Sequence, residues 1–343
     1  MDTQIITNPS DQELDMLARA LRNGELVSIP TETVYGLGAN GIDPEAMDKI
    51  YAAKGRPSDN PLILHVPNSE SIIPLVTEVS KTAQLLMDTF WPGPLTITLP
   101  KSDLVPDRAT GGLPRVALRC PDHEICRALL ERTGVPVAAP SANISGRPSP
   151  TTAQDVYHDM NGRISYILDA GPCTIGVEST VVEVHDDKVI ILRPGGITKA
   201  QLERIVSTVE YDTALVDVTT KPKAPGMKYT HYAPDAPMTV VVGTPDVVAN
   251  TFNDLSKGIE GPIGCLVSYE TYELIKADSR FKCHCFGSHG DALSLGHDFY
   301  KSLLHFNQNH VALILAEGVN DDGFGVAIMN RMEKASSHHI IYK

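Results

Sequence analysis

At 343 residues the chain is long enough for two domains, each with a core of its own. With 42% hydrophobic and 21% charged residues it has the balance of an ordinary globular protein, and no run approaches the ~20 apolar residues of a membrane span. A formal net charge of -13 weighs against tight, charge-driven binding of nucleic acid but leaves room for a small anion in a locally basic cleft.

Ser10 and Glu13 are spaced as a capping box ahead of Leu14, Leu17, Ala18 and Leu21, which predicts a helix with Gly24 just past its end. An apolar strand over 25–30 follows and stops in Thr31, Glu32 and Thr33, then Gly36 and Gly38. Polar groups buried at a strand end need partners, supplied by the loop itself or by a ligand. Asp43 and Pro44 open a second helix that runs to about Ala53 and ends at Gly55. Strand-like runs "LILHV", "LTITLP", "VPVAAP", "ISYILDA", "STVVEV" and "KVIILRP" then alternate with helical patterns near 81–90, 122–132, 151–160 and 198–207. That alternation predicts an α/β or α+β domain over 1–208, and the alternating polarity of several strands predicts a mixed sheet.

Residues 209–236 pack Pro, Lys and Tyr into a segment without a period, which reads as a linker. Met227, Tyr229, His231 and Tyr232 give it groups that could dock on another surface. Beyond it, "MTVVVG", "GPIGCLVSYE", "CHCFG" and "VALILAEG" alternate with helical stretches near 245–255, 290–309 and 325–336. A smaller α/β domain with a parallel sheet is expected over 237–343.

Six scattered cysteines suggest no disulfide framework. Cys283, His284 and Cys285, with His289 nearby, lack the paired Cys-x-x-Cys arms of a zinc site; in a strand the two cysteines share one face and His284 the other. The amino terminus has no charged head followed by an apolar core, so no signal peptide is read and a cytoplasmic location is expected.

Four loops beside "TETVYG" combine cations and small hydroxyls with Gly and Pro: "KGRPSDNP", "GGLPRVALRCP", "APSANISGRPSP" and "RPGGIT". Arg forks and Gly-rich turns of this kind suit phosphate or carboxylate, and they adjoin strand ends, where open α/β sheets bind ligands. Arg115 and Arg119, four apart on a strand, project to one face. No phosphate loop, dinucleotide fingerprint, nucleophile elbow or kinase motif set is present.

In their order, "PTETVYGLGAN", "KGRPSDNPLILHV", "WPGPLTITLP", "VALRCP", "APSANISGRPSPT", "GVESTVV" and "LRPGGIT" resemble the YrdC-domain family. The linker "APGMKYTHYAP" and a second domain ending "GFGVAIMNRMEKAS" resemble the long form of that family, the threonylcarbamoyl-AMP synthases. The resemblance implies a YrdC-like twisted mixed sheet with a concave ligand cleft, followed by a smaller Rossmann-like parallel α/β domain. It implies synthesis of threonylcarbamoyl-adenylate from L-threonine, bicarbonate and ATP, with Mg²⁺ accompanying ATP. A downstream threonylcarbamoyl transferase would then act on tRNA, with any tRNA contact of this chain weak or indirect. Carried over by position, Thr33, His65, Arg119, Ala139 and Ser179 look like threonine contacts. Arg56, Asn60, Arg115, Ser141, Ser149, Arg193 and Tyr232 look like ATP contacts, with Lys54 and Arg56 nearest the chemistry; no metal ligand from the protein is assigned. His65 is a candidate general base, and the linker is expected to lie over the site. The rival readings are a nucleic-acid-binding module, a carbamoyltransferase of the hydrogenase-maturation type and a ligand sensor.

Overall fold

The computed structural model describes residues 2–215 and 232–343. They divide into two compact units: residues 2–215 without 146–148 and 175–177, and residues 232–343 together with those two short segments. The linker reading rests mainly on Met227, Tyr229 and His231, which lie outside the described residues.

The first helix forms as its sequence dictates. In α1 (Asp11–Arg22), Ser10 Oγ accepts from Glu13 N at 3.3 Å while Glu13 Oε2 accepts from Ser10 N at 2.8 Å, and Leu14, Leu17, Ala18 and Leu21 are buried. Asp43 caps α2 (Pro44–Lys54), and Gly55 stops it in the left-handed region at φ 62. The remaining helices of this unit are α3 (Lys81–Phe90), α4 (Asp107–Thr110), α5 (Glu124–Thr133), α6 (Ala153–Met160) and α7 (Lys199–Glu203). The pattern at 198–207 yields only the short α7, because Ile205 N and Val206 N both turn back onto Leu202 O.

Among the described residues the first unit carries one mixed sheet. Its strands are β1 (Gln4–Thr7), β2 (Val27–Ile29), β3 (Gly36–Asn40), β4 (Ile63–His65), β5 (Leu95–Pro100), β6 (Arg115–Arg119), β7 (Val137–Ala138), β8 (Tyr166–Asp169), β9 (Thr180–Val184), β10 (Lys188–Arg193) and β11 (Thr208–Tyr211). Their order is β1-β8-β2-β3-β7-β4-β6-β5-β9-β10-β11. β4 and β6 run parallel, as do β5 and β9, whereas β7 is antiparallel to β3 and β4. One core packs α1 and α5 onto Val27, Ile29 and Val137; a larger one packs α2, α3, α6 and α7 with Leu37, Leu64, Ile97, Leu118 and Val182.

Two boundaries differ from the sequence reading. β11 pairs with β10, so residues 209–211, read as the start of the linker, extend the sheet. β3 occupies residues 36–40, over which no strand was read. A Cβ on Gly38 would lie 2.9 Å from Val27 O and one on Gly36 3.1 Å from Ala139 Cβ, so the glycines serve close strand approach.

The second unit holds β12 (Met238–Val242), β13 (Ile263–Val267), β14 (Phe281–Cys285), β15 (Leu313–Glu317) and β16 (Ile340–Tyr342), in the order β14-β13-β15-β12-β16. Every neighbouring pair is parallel, with α8 (Pro245–Leu255), α9 (Tyr269–Ile275), α10 (Ala292–Gln308) and α11 (Gly325–Ala335) as connections. Cys283 and Cys285 pack towards the core on one face of β14, and His284 on the other lies 3.4 Å from Asp298. Among the described residues no helix is long and apolar enough to cross a membrane.

Candidate active site

Strand register assembles the first half of the site. His65 and Arg119 end the parallel strands β4 and β6 as direct partners, and His65 also faces Val137 of β7, two residues before Ala139. On the other side of β6, Leu95 of β5 partners Thr180 of β9, which brings Thr96 Oγ1 within 2.7 Å of Ser179 Oγ. The β2–β3 loop closes over these ends. Its "TETVYG" runs beside "APSAN": Leu37 N donates to Pro140 O at 2.7 Å, Ala142 N to Tyr35 O at 2.8 Å, and Gly36 bridges Ser141.

The polar stop after β2 is largely satisfied inside the protein. Thr31 Oγ1 donates to Val34 O at 2.7 Å and accepts from Thr33 N and Val34 N. Thr33 Oγ1 lies 2.9 Å from Thr31 Oγ1 and accepts from Arg119 Nη1 at 2.9 Å. Glu32 forms an ion pair with Arg119 Nη2 at 2.7 Å, the two side chains being only 6% and 4% exposed. Of the two sources of partners open from the sequence, the loop itself, through the turn of Thr31, and the Arg119 guanidinium supply those of the two threonine hydroxyls. Arg119 Nε points at Gly93 O (3.4 Å).

His65 is buried, and its pKa is pushed down to about 3 by loss of solvent and then by the Arg119 charge. Such a shift keeps the imidazole neutral and a weak proton acceptor at neutral pH. The sign of the linkage follows. With a folded value of about 3 against 6.5 unfolded, the stability that His65 contributes is present above pH 6.5 and is lost as the pH falls towards 3. Urea midpoints at pH 7, 6, 5 and 4 are expected to fall less steeply for His65→Gln than for the parent chain; parallel slopes would contradict the shift.

The second half of the site gathers cationic and hydroxyl side chains. Lys54 closes α2 with its ammonium buried, donating at 2.5 Å to both Ser141 O and Asn143 O, while its own carbonyl accepts from Ser145 N. Burial, and secondarily the Arg56 charge, lowers its pKa well below 10.5. Arg56 Nη2 donates to Pro61 O at 3.0 Å, beside buried Asn60, whose Oδ1 has no partner among the described residues. Ser149 Oγ donates to Glu178 Oε1 at 2.7 Å. Arg193 brackets Ser179 through Nε and Nη2 to its carbonyl, at 3.1 and 3.0 Å, and through Nη2 to its Oγ at 3.2 Å. Gly195 lets the "RPGG" turn lie against this strand: a Cβ there would meet Thr180 N at 2.3 Å and Glu178 O at 2.4 Å.

The site contains most of the residues read from the sequence. Thr33, His65, Arg119, Ala139 and Ser179 meet at the strand ends, and Lys54, Ser141 and Arg193 are tied to the same loops by the bonds just described. Two residues stand apart. Arg115 begins β6, four residues from Arg119, and Nη2 is held by Thr98 O and Val184 O, at 2.7 and 2.9 Å, at the far end of β5 and β9. Tyr232 belongs to the second unit, where its ring packs on Tyr300 with centroids 5.2 Å apart.

Comparison with known proteins gives this arrangement a family. Residues 19–195 match the family described as "Telomere recombination", which takes in Sua5, YciO and YrdC, and residues 197–337 match "Threonylcarbamoyl-AMP synthase, C-terminal domain". The Threonylcarbamoyl-AMP synthase of Bacillus subtilis is 45% identical over 333 residues, spanning 97% of this chain and 95% of its own. The chain belongs to the threonylcarbamoyl-AMP synthase family. A relative of the same name from Pyrococcus abyssi is 44% identical over 336 residues, 96% of this chain and 95% of its own. The crystal structure of Pyrococcus abyssi Sua5 complexed with L-threonine superposes with a TM-score of 0.88 at 39% identity, covering 100% of both chains.

Membership accounts for the two-unit organisation, and it leaves visible what the motifs alone did not offer. Glu32 stands in the middle of "TET" yet was assigned no role, and Glu178 and Thr96, which hold Ser149 and Ser179, were likewise passed over. One signal was available for Glu32: an Arg on an otherwise apolar strand needs a buried counter-ion.

Proposed function

We propose that this chain joins L-threonine, bicarbonate and ATP into L-threonylcarbamoyl-adenylate with release of pyrophosphate. The observation that carries the reading is the Arg119 environment in a chain that matches threonylcarbamoyl-AMP synthases over nearly its whole length. Arg119 has five N–H donors; one is directed at Thr33, one at Gly93 O and one faces Glu32, which leaves two for a carboxylate. Ser179 and neutral His65 flank that position and suit the hydroxyl of threonine.

The threonine ammonium loses a proton to solvent, and the free amine attacks carbon dioxide, releasing a second proton, or bicarbonate, releasing water, to give a carbamate. One carbamate oxygen then attacks the α-phosphorus of ATP in line with departing pyrophosphate, so the products are the mixed anhydride and pyrophosphate. Such chemistry depends mainly on positioning and charge neutralisation. Arg56, Asn60, Ser141, Ser149 and Arg193 would hold the nucleotide, with Lys54 fixing the loop that carries Ser141. Mg²⁺ would enter on the triphosphate: among the described residues no three His, Cys, Asp or Glu side chains come together as a resident metal site. The product would pass to a threonylcarbamoyl transferase acting on tRNA in the cytoplasm.

Mass spectrometry of a reaction with ¹³C-bicarbonate tests the reading. A threonylcarbamoyl-adenylate carrying the label is expected; unlabelled threonyl-adenylate would contradict it.

A further inference from the structure

The Glu32–Arg119 pair has a feature that the reading above does not use. Both charges are buried, and an ion pair so placed contributes little to stability over an apolar pair of the same size. Arg119 faces one Glu32 oxygen, Oε1, at 2.7 Å. Both Glu32 oxygens and Arg119 Nη2 are buried without a hydrogen-bond partner among the described residues, so the pair is a charge contact at Oε1, and Oε2 lacks even that. A buried carboxylate oxygen without a donor is costly, and no other cation is paired with Glu32 among the described residues. Its charge is felt by neighbouring groups: it raises the pKa values of Cys126 and Cys173, after burial and against Arg119, and acts against the burial that lowers His123.

An unfilled anionic acceptor thus stands beside a cationic fork with two unused donors. An α-amino acid presents the complementary pair on adjacent atoms, an ammonium next to a carboxylate. We propose that Glu32 receives the α-ammonium group of the amino-acid substrate while Arg119 takes its carboxylate. The inference rests on threonine occupying this site, and it adds a residue to the recognition. Glu32, Arg119 and the zwitterion then form an alternating row of charges in which every buried charge has an opposite neighbour. Such a pair rejects a hydroxy acid that lacks the amine, because Oε2 would stay unpartnered.

Calorimetric titration of the full chain with L-threonine and with 3-hydroxybutyrate, its analogue without the amine, tests this directly. The parent chain is expected to prefer threonine by about tenfold or more, the worth of one charge-assisted hydrogen bond. In Glu32→Gln threonine affinity is expected to fall to that of 3-hydroxybutyrate, whose own affinity stays unchanged. If Glu32→Gln does not fold, Glu32→Asp, which keeps the counter-ion at shorter reach, is expected to lower the preference about threefold or more. Equal weakening of both ligands would reduce Glu32 to a support for Arg119 and overturn the inference alone, as would an unchanged preference. A parent chain that binds neither ligand would overturn the proposed function and this inference with it.

Discussion

Arg119→Ala is expected to lower kcat/KM for threonine by about 100-fold or more, since truncating one member of a buried charged pair costs roughly 2–5 kcal/mol. The same change is expected to destabilise the first unit by about 3–5 kcal/mol, because it strands the carboxylate of Glu32 without its counter-ion. These two effects have different origins and can be separated. In Arg119→Met combined with Glu32→Leu neither member of the pair is left as an uncompensated charge, so the urea midpoint is expected to recover while threonine-dependent turnover does not. A single variant with parental kcat/KM would show that Arg119 is a structural ion-pair member and nothing more.

Lys54→Met is the second large effect, and here activity and stability are expected to part company. The ammonium holds two carbonyls, each bond to a charged group being worth about 1.5–3 kcal/mol. Against that stands the desolvation of a fully buried charge, several kcal/mol in size, which is what drives the Lys54 pKa down. The terms offset, so the midpoint is expected to shift by no more than about 2 kcal/mol. The loop from Ser141 to Ser145, however, loses its anchor to α2, and misplacement by about 1 Å can cost 10²-fold in rate. Titration of ATP against pyrophosphate release is expected to show about a 100-fold loss in kcat/KM. Parental kinetics in a folded Lys54→Met would remove Lys54 from the account.

Where local chemistry decided the structure, the sequence was legible. Ser10 with Glu13, Asp43 with Pro44, and Gly55 each announced a helix end that the backbone geometry bears out. The mixed first sheet and the parallel second one followed from alternating and continuous apolar runs. What stayed hidden depends on contacts between distant residues. No strand was read over Gly36 and Gly38 because glycine is depleted in strands; only the close approach of Val27 O and the Ala139 Cβ explains two glycines there. β1 is too short and exposed to carry a pattern of its own, and it exists by pairing with β8. In the site, motif by motif reading located Thr33, His65, Arg119 and Ser179. It could not reveal that Arg119 is already paired with Glu32, or that Lys54 faces two carbonyls, since both depend on residues 87 apart in sequence.

The central claim is that one site brings threonine, bicarbonate and ATP together, and omission experiments on pyrophosphate release test it most directly. Purified protein with Mg²⁺-ATP is expected to release pyrophosphate only when threonine and bicarbonate are both present. Release with threonine alone, under rigorous exclusion of bicarbonate, would mean ordinary amino-acid adenylation and would contradict the account.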